Sequence, residues 1–193
     1  MKKLKLVSLF VFSLVLSACD VNNTENQEVT SAFSLAVGNR YSFRHSSQII
    51  GSPNVSTWFT SAQIVSDTLA NGKQYFVFDD GLLLRADEKI VYQLVNGSEI
   101  IYFSFNVSVG DTVVFENGDY TLKEIRTTND FFGESLSLYT ISNAIFSPDS
   151  VVQYSFSKKF GVLDYNRTHS NTITNFYLDG AIIKNTGYGR LKN

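Results

Sequence analysis

One cysteine in 193 residues leaves no partner for an internal disulfide, so stability has to come from burial alone. Histidine is nearly as scarce, with two. No His-x-His, His-Glu-x-x-His or paired-cysteine spacing occurs, so neither a metal site nor a cofactor is expected. No Gly-x-Ser-x-Gly elbow is present to expose a strained serine nucleophile. Basic charge is short as well. Lys2, Lys3 and Lys5 take three of the 16 cations, and the rest of the chain sets 13 against 18 acids, a balance of −5. That argues against nucleic acid, whose phosphates demand clustered cations, and against electrostatic docking on anionic lipid. Beyond the N-terminus no segment keeps a 3.6-residue apolar period over three turns, so helices are not expected.

What is present starts with the first nineteen residues. Lys2, Lys3 and Lys5 precede the apolar run Leu6 to Leu16, which only Ser8 and Ser13 interrupt and which is too short to span a bilayer. Ser17 and Ala18 then lead into Cys19, giving the basic, apolar and small-residue order of a secretion signal. The Leu16-Ser17-Ala18-Cys19 lipobox resembles that of bacterial lipoproteins, whose mature chain begins at the cysteine after lipid is attached to its thiol and amine. The resemblance implies a signal peptide over 1–18, lipidation (palmitate included) at Cys19, and a membrane anchor in the bacterial envelope. The membrane is the inner or the outer one, with the domain in the periplasm or at the surface; Asp20 resembles an inner-membrane retention signal of some Gram-negative systems. One acyl chain binds a membrane only marginally, whereas two or more hold stably. The polar stretch to Ala32 reads as a flexible tether. A single β domain should fill 33–193.

Within that domain Phe, Tyr, Val, Ile, Thr and Ser dominate, and the apolar period is two. Ile101, Phe103, Phe105, Val107 and Val109 fall on one face of a strand, with Tyr102, Ser104, Asn106 and Ser108 on the other. Asn71-Gly72, Asp80-Gly81, Asn96-Gly97, Asn117-Gly118 and Asp179-Gly180 supply the positive φ of tight hairpins. The pattern predicts strands near 40–50, 57–69, 74–79, 82–87, 89–95, 99–107, 112–117, 119–128, 135–142, 151–158, 160–167 and 172–184. The expected fold is all-β, an antiparallel meander of about 10–12 strands curled into a barrel or a two-layer sandwich. Tyr75 to Phe78 and Leu82 to Leu84 are apolar on both faces and should lie centrally.

Leu35 to Phe43 matches Val107 to Phe115, 72 residues later, in the pattern apolar-x-Val-Gly-[Asn/Asp]-x-apolar-x-Phe. Two readings stay open: one common strand-turn-strand motif used twice, or a duplication giving two similar halves. The chain also resembles a recurrent kind of uncharacterised bacterial envelope lipoprotein. The likeness lies in Val37-Gly38-Asn39, Gly72 to Phe76, Val109-Gly110-Asp111-Thr112, the strand Ala181-Ile182-Ile183 and Gly187-Tyr188-Gly189. It implies a β fold and an envelope location, and no chemistry.

Candidate catalytic groups are few. His169 and Ser170 are chain neighbours and on extended backbone point opposite ways, so a solvated loop histidine is expected. His45 should face outward from the first strand. Asp79-Asp80 and Asp87-Glu88 stand beside turns, where acids more often cap than bind calcium. Some pair among 18 acids will match glycosidase spacing by chance. Aromatics are the one abundant resource, 16 Phe, 10 Tyr and one Trp. Most belong to the core, but Trp58, Phe59, Phe131 and Phe132 are candidate partner contacts. Phe131 and Phe132 stand out because two adjacent rings in a turn do not easily bury together. The leading expectation is a non-catalytic, membrane-anchored lipoprotein that binds another envelope protein or a surface polysaccharide. The alternative is a carrier or chaperone of an apolar ligand inside a curled sheet. The third is a hydrolase with an unrecognised carboxylate pair. A hollow inner face would favour the carrier, a filled one the partner-binding module.

Overall fold

A computed structural model describes residues 33–115, 118–143 and 150–191. The signal, Cys19 and the tether over 20–32 lie outside the described residues. The described chain has no helix. It forms thirteen antiparallel strands: β1 Arg40–Ile49, β2 Val55–Ala70, β3 Lys73–Phe78, β4 Leu83–Ala86, β5 Ile90–Val95, β6 Ser98–Ser104, β7 Thr112–Phe115, β8 Gly118–Phe131, β9 Glu134–Ser142, β10 Ser150–Ser157, β11 Gly161–His169, β12 Thr172–Ile183 and β13 Thr186–Gly189. Their order is β6-β5-β4-β3-β2-β1-β12-β11-β10-β9-β8-β7, with β13 added to β12. The sheet curls into a nearly closed barrel whose two ends are β6 and β7.

Turn chemistry builds this meander. Asn71-Gly72 and Asn96-Gly97 have two successive positive φ values, 53° with 73° and 49° with 79°, the left-handed pair that matches strand twist. The strand that the sequence pattern missed, β13, returns from β12 through Lys184 and Asn185, at φ 47° and 67°. Neither residue is a glycine, so the usual turn signal is absent there.

β1–β6 and β7–β12 are structural repeats. In both, the glycine of the Val-Gly motif has positive φ (Gly38 89°, Gly110 99°). Gly38 N–H donates to the Ile64 carbonyl and Gly110 N–H to the Leu122 carbonyl, each at 2.8 Å. Asn39 N–H closes on Ala36 and Asp111 N–H on Ser108, each at 3.0 Å. The echo is thus one hydrogen-bonded device used twice, and each use starts a six-strand meander.

Register slips re-aim side chains. The β5–β6 ladder shifts between Val91 and Tyr92, so the strict alternation expected from Ile101 to Val109 breaks. Ile101 is exposed, while Phe103 and Phe105 are buried. The core is aromatic: Phe103 of β6 stacks on Phe156 of β10 with centroids 4.1 Å apart, and Phe115 meets Phe156 and Tyr154 edge-on at 4.8 Å each. These contacts join the two ends of the meander across the barrel. Tyr75 is fully buried outside that core. Its hydroxyl donates to Glu99 at 2.8 Å, and Arg85 and Lys73 close on the same carboxylate at 2.7 and 2.5 Å.

Candidate functional site: an apolar cavity beside an open edge

Part of the inner face is packed with side chains and part opens as a pocket. A cavity of about 330 Å³ lies where the β1–β2 hairpin passes the β3–β4 turn, at the small end of the range for ligand pockets, about 300–1,000 Å³. β1 contributes Tyr41, Phe43 and His45, and β2 contributes Thr60, Ser61 and Ala62. The second half adds Phe156, Val162 and Phe176, and β3–β6 add Phe78, Leu84, Val91 and Phe103. Side chains with a polar group are few: Tyr41, His45, Thr60, Ser61, Asp80 and Tyr102.

β-sheet register explains this lining. Tyr41, Phe43 and His45 are alternate residues and share a face, so His45 points inward with two core aromatics. The outward placement expected from the sequence is therefore incorrect. His45 pairs across the sheet with Trp58 on one side and Phe176 on the other, and Phe176 with Tyr165, which pairs with Tyr154. The rings follow the register. Trp58–His45 centroids are 5.2 Å apart at 14°, His45–Phe176 5.4 Å, Phe176–Tyr165 5.1 Å at 16°, and Tyr165–Tyr154 4.9 Å. A continuous aromatic row thus crosses five strands, from exposed Trp58 to buried Tyr154. His45 Nε2 shares a hydrogen bond with Thr60 Oγ1 at 2.6 Å. Burial lowers the His45 pKa below its ordinary value, so the ring is neutral at pH 7 and presents a dipole rather than a charge.

The aromatic residues singled out from the sequence divide in two. Trp58 and Phe59 are 42% and 43% exposed on β2, with Trp58 ending the inner row. Phe131 and Phe132 are half-buried. Their centroids lie 4.6 Å apart, and both meet Phe160, at 5.7 and 5.8 Å. Phe132 has φ 53°; this left-handed kink breaks strand alternation and turns both rings to one side. The adjacent rings therefore share one side and pack on Phe160 while each stays half-buried, an arrangement a purely extended chain would forbid.

Of the remaining candidates only Asp80 lines the cavity. His169 ends β11 and is exposed. Asp79 and Asp80 cap backbone: Asp79 Oδ1 accepts from Gln63 N–H at 3.2 Å and Asp80 Oδ1 from Leu82 N–H at 3.0 Å. Asp87 Oδ1 likewise accepts from Lys89 and Ile90. Among the acids, Asp164 and Glu99 have pKa values perturbed in opposite senses. Burial raises Asp164, opposed by a hydrogen bond from Ser155. Burial would also raise Glu99, but hydrogen bonds from Lys73, Tyr75 and Arg85 outweigh it and hold the group at about 2. They stand on β11 and β6, and neither lines the cavity. Among the described residues no three His, Cys, Asp or Glu side chains gather as a metal would need.

No family model and no curated protein sequence matches this chain. Two solved structures are similar to it. One is a "putative exported protein with YmcC-like fold" from Bacteroides fragilis, 8% identical, with a TM-score of 0.43, covering 76% of this chain and 96% of that one. The other is a "putative lipoprotein" from Parabacteroides distasonis, 10% identical, with a TM-score of 0.40, covering 79% and 98%. Likeness at this level carries no functional argument.

The sequence reading missed His45, Thr60 and Ala62 as site residues. The signal was there: His45 shares parity with Tyr41 and Phe43, and Thr60 and Ala62 share parity with Ile64.

Proposed function

We propose that this chain is a non-catalytic, lipid-anchored envelope protein that holds the apolar part of a ligand inside its barrel. The observation that carries the reading is the cavity of about 330 Å³ between the long β1–β2 hairpin and β3–β6, with an aromatic lining and a neutral His45–Thr60 pair. Such a site rewards removal of apolar surface from water at about 25 cal/mol per Å². It offers one hydrogen-bonding point to a hydroxyl or carbonyl and no charge to a headgroup beyond Asp80. The anchor rests on the lipobox ending at Cys19. Among the described residues the cavity's one acid, Asp80, caps its own turn.

Phenylnaphthylamine, which brightens in apolar surroundings, tests the reading. The protein should take it up saturably, and Ala62→Phe, which fills the cavity, should abolish uptake without unfolding the sheet. A folded protein that never takes up the dye would overturn the proposal.

A second reading, binding of another envelope protein or a surface polysaccharide, draws on the exposure of Trp58 and Phe59 along β2.

A further inference from the structure

The polar pair in the cavity wall is held in place from three sides. His45 reaches Thr60 diagonally across the β1–β2 ladder, in which His45 faces Trp58 and Phe43 faces Thr60. Trp58 of β2 stacks on the imidazole at 5.2 Å, and Phe176 of β12 meets it at 5.4 Å. The 2.6 Å bond to Thr60 Oγ1 sets the ring's rotation. Little side-chain freedom is left to lose when a ligand docks against this pair.

A neutral imidazole carries one donor and one acceptor, and a threonine hydroxyl one donor and two acceptor lone pairs. Their mutual bond uses one of each. In one tautomer the Nδ1–H remains to donate and Thr60 Oγ1 to accept; in the other the Thr60 hydroxyl does both. Either way the pair offers one donor and at least one acceptor. Among the described residues neither side chain has a second hydrogen bond. The remaining lining narrows the head group further. No lysine or arginine lines the cavity among the described residues, so a carboxylate drawn inside would lose water without gaining a counter-charge. Asp80, the one acid, is exposed and accepts from Leu82 N–H; an ion pair there with an ammonium contributes little.

We propose that the cavity selects an alcohol: an uncharged amphiphile whose apolar body fills the aromatic pocket and whose hydroxyl both donates to and accepts from the His45–Thr60 pair. This rests on the cavity being a binding site and names the head group that the site takes. A hydroxyl answers both of the pair's open valences at once. An ether or a ketone only accepts, and leaves the pair's own acceptor without a partner once water is displaced. A carboxylate has the same defect and adds a buried charge, so a fatty acid is held by its tail alone.

Displacement of phenylnaphthylamine ranks a matched series. 1-Decanol should displace the dye at a concentration at least about tenfold below that needed for its isomer ethyl octyl ether, which only accepts, or for ionised decanoate. The double variant His45→Phe/Thr60→Val removes both polar groups and keeps the ring and the branched side chain; it should bring alcohol and ether within about twofold of each other. His169→Phe, at the exposed end of β11, should leave the gap as it is. The wild-type ranking decides the matter even where the double variant does not fold. Ether or decanoate equal to decanol, in a protein that takes up the dye, would overturn the alcohol and leave the cavity reading standing. Decylammonium binding tightest would assign the head group to Asp80 and overturn it too, as would a preference for decanol that survives the double variant. A folded protein that takes up no dye would overturn both readings.

Discussion

Ile64 and Leu122 hold the same place in the two repeats. Each N–H donates at 2.9 Å to the carbonyl of the motif's Asn39 or Asp111, each side chain is fully buried, and just beyond each the next ladder slips by one residue, between Ile64 and Ser66 and between Leu122 and Glu124. The slip is what lets one strand leave the first partner and take a second. In the first repeat the hairpin before it is long, and the inner face of that extra length is the cavity wall.

The repeats differ where one side chain must donate. Asn39 is buried, gives its Nδ2 to the Ser34 carbonyl at 2.8 Å and accepts Lys184 N–H on Oδ1 at 2.9 Å. Asp111 is exposed and only accepts, from Ser108 N–H at 2.7 Å. Asn39→Asp therefore sets a carboxylate against a carbonyl and should cost about 2–4 kcal/mol. Asp111→Asn should stay within about 0.5 kcal/mol. Urea midpoints of the two variants check the asymmetry.

Glu99 predicts an acid limit. Its folded pKa of about 2 lies below the ordinary 4.5, so its contribution is complete above pH 4.5 and disappears as pH falls toward 2. With the side chain one-fifth exposed, that contribution is of order 1–3 kcal/mol. Glu99→Gln should melt lower than wild type at pH 7, and the gap should close by pH 2. Thermal unfolding at stepped pH reads both.

Phe131→Ser and Phe132→Ser should each lower the melting temperature, because each ring packs on Phe160; a loss of about 1–3 kcal/mol is expected. Unchanged melting would contradict the packing described.

Gly161 and Phe33 form a coupled pair. A Cβ at Gly161 would come within 2.5 Å of the Phe33 ring, on a backbone with φ 72°. Gly161→Ala should destabilise through both clash and strain. Phe33→Ala in the same chain should recover about 1 kcal/mol of that loss, measured as a double-mutant cycle.

The strands were legible because period-two runs and the turns at Asn71-Gly72, Asp80-Gly81 and Asn96-Gly97 mark them directly, whereas Asp179-Gly180, read as a turn, lies inside β12. The β12–β13 return was not legible, since Lys184 and Asn185 adopt positive φ without a glycine to announce it. The slip at Tyr92 was equally hidden; nothing local tells Ile101 that its partner has moved. Barrel and sandwich were indistinguishable in the sequence, because closure depends on the Phe103–Phe156 contact between distant strands. The cavity was invisible for the same reason: parity assigns His45 to the inner face, but only the packed fold leaves space in front of it.

The most direct measurement is quenching of Trp58 by a bromine-substituted fatty acid, since bromine quenches indole only at contact. Trp58 stacks on His45, and His45 lines the cavity. Saturable quenching that Ala62→Phe removes is the predicted result. Emission that stays constant in the folded wild-type protein, or quenching that Ala62→Phe leaves untouched, would contradict a ligand held inside the barrel.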